Sequence, residues 1–138
     1  MWIPYALLSA FFAALVAVLA KVGLAGIDSN LATAIRTVVI LLLTWAIVFA
    51  TLPLSAVKTL NVTNWTFLIL SGLATGLSWL FYFKALQLGP VSRVAPVDKL
   101  SVAMVIVLSF AFLGEKISWQ VGVGGLLIVL GSLFMLKG

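Results

Sequence analysis

The chain is poor in charge and lacks two reactive residue types altogether. Its 138 residues include no cysteine and no histidine, and 8% are charged, with only three acids. Disulfides, a Cys/His metal site and a thiol redox centre are therefore excluded. No nucleophile–base pair can be drawn from the remaining side chains, because the few acids are scattered along the sequence. The sequence thus argues against an enzyme, and it predicts no metal and no cofactor.

Apolar residues dominate instead. They make up 64% of the chain, and the mean hydropathy is +1.33, which is more apolar surface than a soluble domain of this size can cover. A helix needs about 20 residues to cross a hydrocarbon core about 30 Å thick. Backbone groups in lipid must bond within the segment, so windows of this length predict helices rather than strands. The five windows are Ile3–Val22, Leu31–Thr51, Trp65–Leu86, Val94–Leu113 and Trp119–Leu136.

The odd number of windows is informative. It places the two termini on opposite sides of the membrane, and the connecting segments are too short for a soluble domain. We therefore expect an all-α integral membrane protein with one five-helix domain over residues 1–138. No internal repeat is visible. Five spans are few for a solute pathway, which suggests one half of a larger assembly.

The basic residues give a weak indication of orientation. The net charge of +5 is spread over loops and helix ends without a basic run, so it does not indicate nucleic-acid binding. The C-terminal side of the membrane holds more loop and end cations than the N-terminal side, which weakly favours a cytoplasmic C-terminus in the cell membrane. The bias is small, and insertion in both orientations stays open. The loop and end cations on the C-terminal side are Lys21, Lys84, Arg93 and Lys137, and those on the N-terminal side are Lys58 and Lys116.

Charged residues inside the windows are the sharper observation. Arg36 lies roughly 9 Å along the second helix, and Asp98 and Lys99 lie at comparable depth in the fourth. An ionised group in hydrocarbon costs at least ~2.5–3.5 kcal/mol, so such groups usually pair or face a cavity. Asp98 has three possible partners, namely Arg36, Lys84 and Lys99. The cluster either ties two helices together or lines a solute path, where its surplus positive charge attracts an anionic group.

Three further patterns concern helix packing. Ser71, Thr75, Ser78 and Tyr82 form a polar stripe on the third helix, which lines a cavity unless its hydroxyls bond back to their own helix. Pro96 removes a backbone donor from the fourth helix and predicts a kink there. Small residues allow close approach of a neighbouring helix. The glycines predicted to pack in this way are Gly72, Gly76, Gly124 and Gly131.

Five elements stand out in order along the chain, namely Lys21, Arg36, the aromatic-rich Phe81–Leu86, Pro96 and the Leu113–Lys116 turn. Taken together, they resemble the EamA-type repeat of the drug/metabolite transporter superfamily over the whole chain. Most members of that superfamily carry two such repeats, inverted relative to each other, in ten helices. This chain is similar to the short five-helix members. It departs from the longer ones at Val97–Ser101, which is charged where theirs is usually apolar or hydroxylic.

The resemblance implies a transporter of small metabolites, with amino acids as one option. Its mechanism would be alternating access by an antiparallel homodimer, or by this chain with a sister half. The expected partners are the lipid bilayer, the second half and a small-molecule substrate. Trp79 and Tyr82 are equally explained as packing or interfacial aromatics. The candidate pathway residues are Arg36, Ser78, Trp79, Tyr82, Lys84, Asp98, Lys99 and Ser101.

Two other functions fit the same sequence. One is a dual-topology channel, because a basic cluster suits an anion pore. The other is a structural or assembly protein of the membrane that transports nothing.

Overall fold

The computed structural model describes residues 1–137, and within them it contains α-helices, one 3₁₀ turn and no strand. The 3₁₀ turn, Leu54–Thr59, lies in the longest loop. The prediction of an all-α fold is confirmed. The helices are α1 (Ile3–Gly23), α2 (Ser29–Thr51), α3 (Val62–Leu88), α4 (Val91–Asp98), α5 (Leu100–Leu113) and α6 (Trp119–Leu136).

Five stretches of the described chain are long and apolar enough to cross a membrane, with α4 and α5 together forming the fourth, Val91–Leu113. The second to fourth stretches begin before their predicted windows, because the helices extend into the polar residues that flank each apolar run. Asp28 shows how α2 begins. Its Oδ1 accepts hydrogen bonds from the backbone N–H groups of Asn30 (2.8 Å) and Leu31 (3.2 Å), which satisfies donors that have no partner within the helix.

The fourth span is broken at Lys99, between α4 and α5. The Lys99 N–H donates to the Pro96 carbonyl at 3.0 Å, a tight turn that closes α4. The Ser132 hydroxyl of α6 donates to the same carbonyl at 2.8 Å. The disturbance expected at Pro96 is therefore a one-residue interruption at Lys99, whose backbone stays in the right-handed helical region, and a side chain from another helix bonds to the Pro96 carbonyl.

The chain forms two compact units. The central unit, Ala20–Gln87, contains the end of α1, all of α2 and α3, and the 3₁₀ turn between them. The terminal unit contains Met1–Leu19 and the chain from Leu88 onward, with α4, α5 and α6.

The terminal unit is held together by α6, which packs against α4 and α5. Ser132 is 5% exposed at the contact with α4. Gly125 is buried facing α5, where a Cβ atom would lie 2.7 Å from Cδ1 of Ile106. A Cβ at Gly124 or Gly131 meets nothing within 4 Å in this unit. Close packing inside the unit therefore uses Gly125, and the packing role predicted for Gly124 and Gly131 stays a prediction.

Gly125→Ala is expected to lower the free energy of unfolding by about 1 kcal/mol, the low end for overpacking, because the atom displaced is the flexible end of Ile106. In an Ile106→Val background, which lacks that methyl group, the same change should cost less. Gly124→Ala is the matched control and should cost nothing. Reversible unfolding in mixed micelles, followed by circular dichroism, measures all three. Equal losses at the two glycines would contradict the contact.

Candidate functional site

Arg36 is placed on α2 opposite two aromatic rings of α3. It lies seven residues after Ser29, roughly 10 Å along the helix axis. The guanidinium carbon is 5.3 Å from the Trp79 ring centroid and 4.3 Å from the Phe83 ring centroid. Trp79 and Phe83 are four residues apart and so share one face of α3. We call Arg36, Trp79 and Phe83 the arginine–aromatic site.

The two rings stabilise the charge of Arg36 without satisfying its donors. A cation over an aromatic face gains about 0.5–2 kcal/mol, most when water is excluded, and Phe83 is only 1% exposed. Guanidinium carries five N–H donors. Its Nη1 is buried and has no hydrogen-bond partner in the described chain. In general, an arginine with unsatisfied donors pairs with an acceptor that has two oxygens, such as a carboxylate, which binds the planar guanidinium side-on.

Most hydroxyls near this site are already used within their own helices. Thr33 donates to the Ser29 carbonyl and Thr37 to the Thr33 carbonyl, both at 2.8 Å. On α3, Thr75 donates to the Ser71 carbonyl at 2.8 Å. For Thr75 the structural interpretation of the polar stripe therefore holds. Since these hydroxyls are engaged, Arg36 is the strongest donor on this face of α2.

Two other members of the stripe, Ser78 and Tyr82, have different surroundings. Tyr82 is half-buried, and its ring meets Phe83 edge-on with centroids 5.7 Å apart. Ser78 is exposed. Tyr82 thus contacts a ring of the arginine–aromatic site and is not itself one of the rings facing Arg36. A Cβ at Gly72 or Gly76 meets nothing within 4 Å in the central unit, so their packing role stays a prediction as well.

Polar contacts join the end of α3 to the last turn of α1 and to the loop before α2. Lys21 Nζ donates to the Leu86 carbonyl, where a cation also complements the negative end of the helix dipole. Gln87 Nε2 donates to the Ile27 carbonyl at 2.8 Å. Lys84 Nζ donates to Gln87 Oε1 at 3.2 Å. The two contacts that leave α3 lie about one helical turn beyond Phe83.

The remaining candidates lie in the terminal unit, at the break in the fourth span. Lys99 Nζ is 3.4 Å from Asp98 Oδ2, and the two side chains are 54% and 38% exposed. Of the partners considered for Asp98, its neighbour Lys99 is the one in contact within this unit. Ser101 is exposed in the first turn of α5. The predicted residues thus form two groups: Arg36, Ser78, Trp79, Tyr82 and Lys84 in the central unit, and Asp98, Lys99 and Ser101 in the terminal unit.

The Asp98–Lys99 pair is expected to add little to stability. Exposed ion pairs contribute about 0–1 kcal/mol, so Asp98→Asn and Lys99→Gln should each change the free energy of unfolding by less than about 1 kcal/mol. Unfolding in mixed micelles measures the change. A larger loss in both, restored by the charge-swapped double variant, would show instead that the pair holds the fold together.

Sequence reasoning missed Phe83, which contributes the nearer ring to Arg36. Its position four residues after Trp79 was the available signal, because an arginine facing one of these rings also reaches the other. No cluster of metal-ligating side chains is present among residues 1–137.

Comparison with known proteins gives two matches that agree. The model of the EamA-like transporter family matches residues 1–137. A protein of Sinorhizobium sp named "Uncharacterized transporter in cobO 3'region" is 53% identical over 134 residues, covering 97% of this chain and 95% of the relative. No solved structure matches the chain. The chain, a multi-pass membrane transporter with five apolar spans among residues 1–137, therefore belongs to the EamA-like transporter family, as the order of its motifs predicted.

Proposed function

We propose that the chain is one half of a paired transporter that moves a small metabolite by alternating access, and that Arg36 binds an anionic group of this metabolite. Amino acids are one option, because each carries a carboxylate. The observation that carries the proposal is the arginine–aromatic site, in which a cation within a membrane span keeps a buried N–H group without a partner.

The shortage of acid near Arg36 supports this role. Asp28 is the only acid in the central unit, and its Oδ1 caps α2. Ionisable groups within membrane spans usually face a pathway or a charged partner. A substrate carboxylate supplies the acceptor that the unit lacks, and the aromatic rings hold the guanidinium in position between transport cycles.

The exposure of the spans supports the pairing. No more than 11% of any span is buried within the chain, so the helices have ample surface for a second five-helix unit as well as for lipid. A second copy in the opposite orientation rebuilds an inverted-repeat transporter with ten helices. The weak bias of basic residues is compatible with insertion in both orientations, which a pair of identical inverted chains requires.

Flux into liposomes tests the transport mechanism. The purified protein is reconstituted, and uptake of radiolabelled amino acids and small carboxylates is measured with and without unlabelled substrate inside. Alternating access predicts saturable uptake that internal substrate accelerates, with empty liposomes as the control. Uptake that rises linearly with concentration and carries ionic current would contradict it, and would favour the anion-channel alternative.

A further inference from the structure

A second site lies on another face of α3. The central unit has a cleft of about 350 Å³ between the start of α2 and the second half of α3. Leu77, Leu80, Phe81 and Lys84 line it, at spacings that place them on one helix face. Trp79 and Phe83 project from a different face and do not line the cleft. The cleft is therefore separate from the arginine–aromatic site.

Polarity changes along the length of this cleft. Asp28, Asn30 and Lys84 line its polar end, where α2 begins and α3 approaches its last turn. Leu77 lies seven residues before Lys84, roughly 10 Å further along the axis of α3. Leu77 and Phe81 are 57% and 73% exposed, so the apolar wall is open at the surface of α3, a helix long and apolar enough to cross a membrane. The change from charged to apolar residues along the cleft matches the change from headgroup to acyl chain along a phospholipid in its leaflet.

The two charges at the polar end are each held in place. Lys84 Nζ donates to Gln87 Oε1, and Gln87 in turn donates to the Ile27 carbonyl. Asp28 is held by the two hydrogen bonds that its Oδ1 accepts from backbone N–H groups. A cation and an anion lining one cleft complement a headgroup that carries both a phosphate and an ammonium group.

We propose that this cleft binds a zwitterionic phospholipid with a primary amine in its headgroup. Lys84 contacts the phosphate, Asp28 accepts hydrogen bonds from the ammonium group, and an acyl chain lies along Leu77, Leu80 and Phe81. A bilayer lipid fits better than a soluble zwitterion, because the apolar wall is continuous with the exposed surface of α3.

Native mass spectrometry of the full chain in detergent tests the site with phosphatidylethanolamine and phosphatidylcholine of identical acyl chains. Phosphatidylcholine is the discriminating probe, because its methylated amine has no N–H to donate. We expect phosphatidylethanolamine to bind about tenfold more tightly, the scale of a hydrogen bond to a charged group. Equal binding, or stronger binding of phosphatidylglycerol, would overturn the role of Asp28.

Variants separate the two charges. Asp28→Asn keeps the helix cap, since asparagine caps equally well, and should abolish the preference for phosphatidylethanolamine over phosphatidylcholine. Lys84→Gln should weaken both lipids several-fold. Lys58→Gln, in the 3₁₀ turn outside the cleft, is the control and should change neither. An unchanged lipid profile in Asp28→Asn or Lys84→Gln would overturn the proposal.

Two further measurements test the apolar wall. Phe81→Ala truncates an exposed side chain, so we expect this variant to fold even if Lys84→Gln does not. It should weaken the binding of long-chain lipid more than that of short-chain lipid. Soluble phosphoethanolamine should not displace bound lipid. Displacement at equal concentration would show that the cleft takes a soluble zwitterion, and would overturn the assignment to lipid.

Discussion

Arg36→Ala is expected to reduce substrate uptake at subsaturating concentration by about 10- to 100-fold, the loss of a hydrogen bond to a charged group, while the chain stays folded. Alanine removes the cation and the unpartnered Nη1 donor together. Alanine also removes the stacking of Arg36 on Trp79 and Phe83. Since only this one side chain is lost from the contact, we expect the helices to stay folded. Initial rates of uptake into liposomes measure the loss, and circular dichroism checks that the helices persist.

The substitutions around this change decide what the arginine does. Arg36→Lys keeps the charge but not the planar pair of donors, so it should raise KM more than it lowers kcat. Phe83→Leu removes the nearer ring and should have a smaller effect in the same direction. Arg93→Ala, an exposed arginine of α4, is the matched control and should transport normally. If Arg36→Ala and Arg93→Ala lose the same activity, Arg36 does not bind substrate.

The number and order of the spans could be predicted because partition into hydrocarbon depends on local composition. Each window needs only about 20 apolar residues, and the five predicted windows correspond to the five apolar stretches of the structure. The break at Lys99 is different in kind. Pro96 predicted a disturbance of the fourth helix. It did not predict that the hydroxyl of Ser132, 36 residues away, donates to the Pro96 carbonyl. Such a contact requires the packing of α6 against α4, which no local pattern encodes.

The candidate site was also predictable only in part, because its contacts likewise depend on the packing of one helix against another. Arg36 and Trp79 were identified from the sequence, one as an intramembrane charge and the other through resemblance. The contact between Arg36 and Trp79 was not predicted. An arginine in hydrocarbon suggests an acid as its partner, and the sequence offered Asp98. Aromatic faces serve the same purpose, but only the register of α2 against α3 brings Trp79 and Phe83 to the guanidinium.

Co-expression of wild-type and Arg36→Ala chains is expected to reduce transport more than dilution alone. If each pathway is built from two chains and needs Arg36 from both, random pairing with one wild-type chain in ten leaves about one hundredth of the pairs intact, whereas independent monomers would retain about one tenth of the activity. Uptake per total protein, measured in liposomes over a series of ratios, should therefore fall as the square of the wild-type fraction.

The shape of that curve separates the pairing from the site. Lys58→Ala, in the 3₁₀ turn and remote in sequence from the arginine–aromatic site, should leave activity unchanged at every ratio. A linear fall with Arg36→Ala would mean that each Arg36 acts independently of any other, and the shared central site of the inverted-pair mechanism would be wrong even though Arg36 still binds substrate. A squared fall requires Arg36 of both chains in one working unit, as expected where two inverted repeats meet around a shared central site.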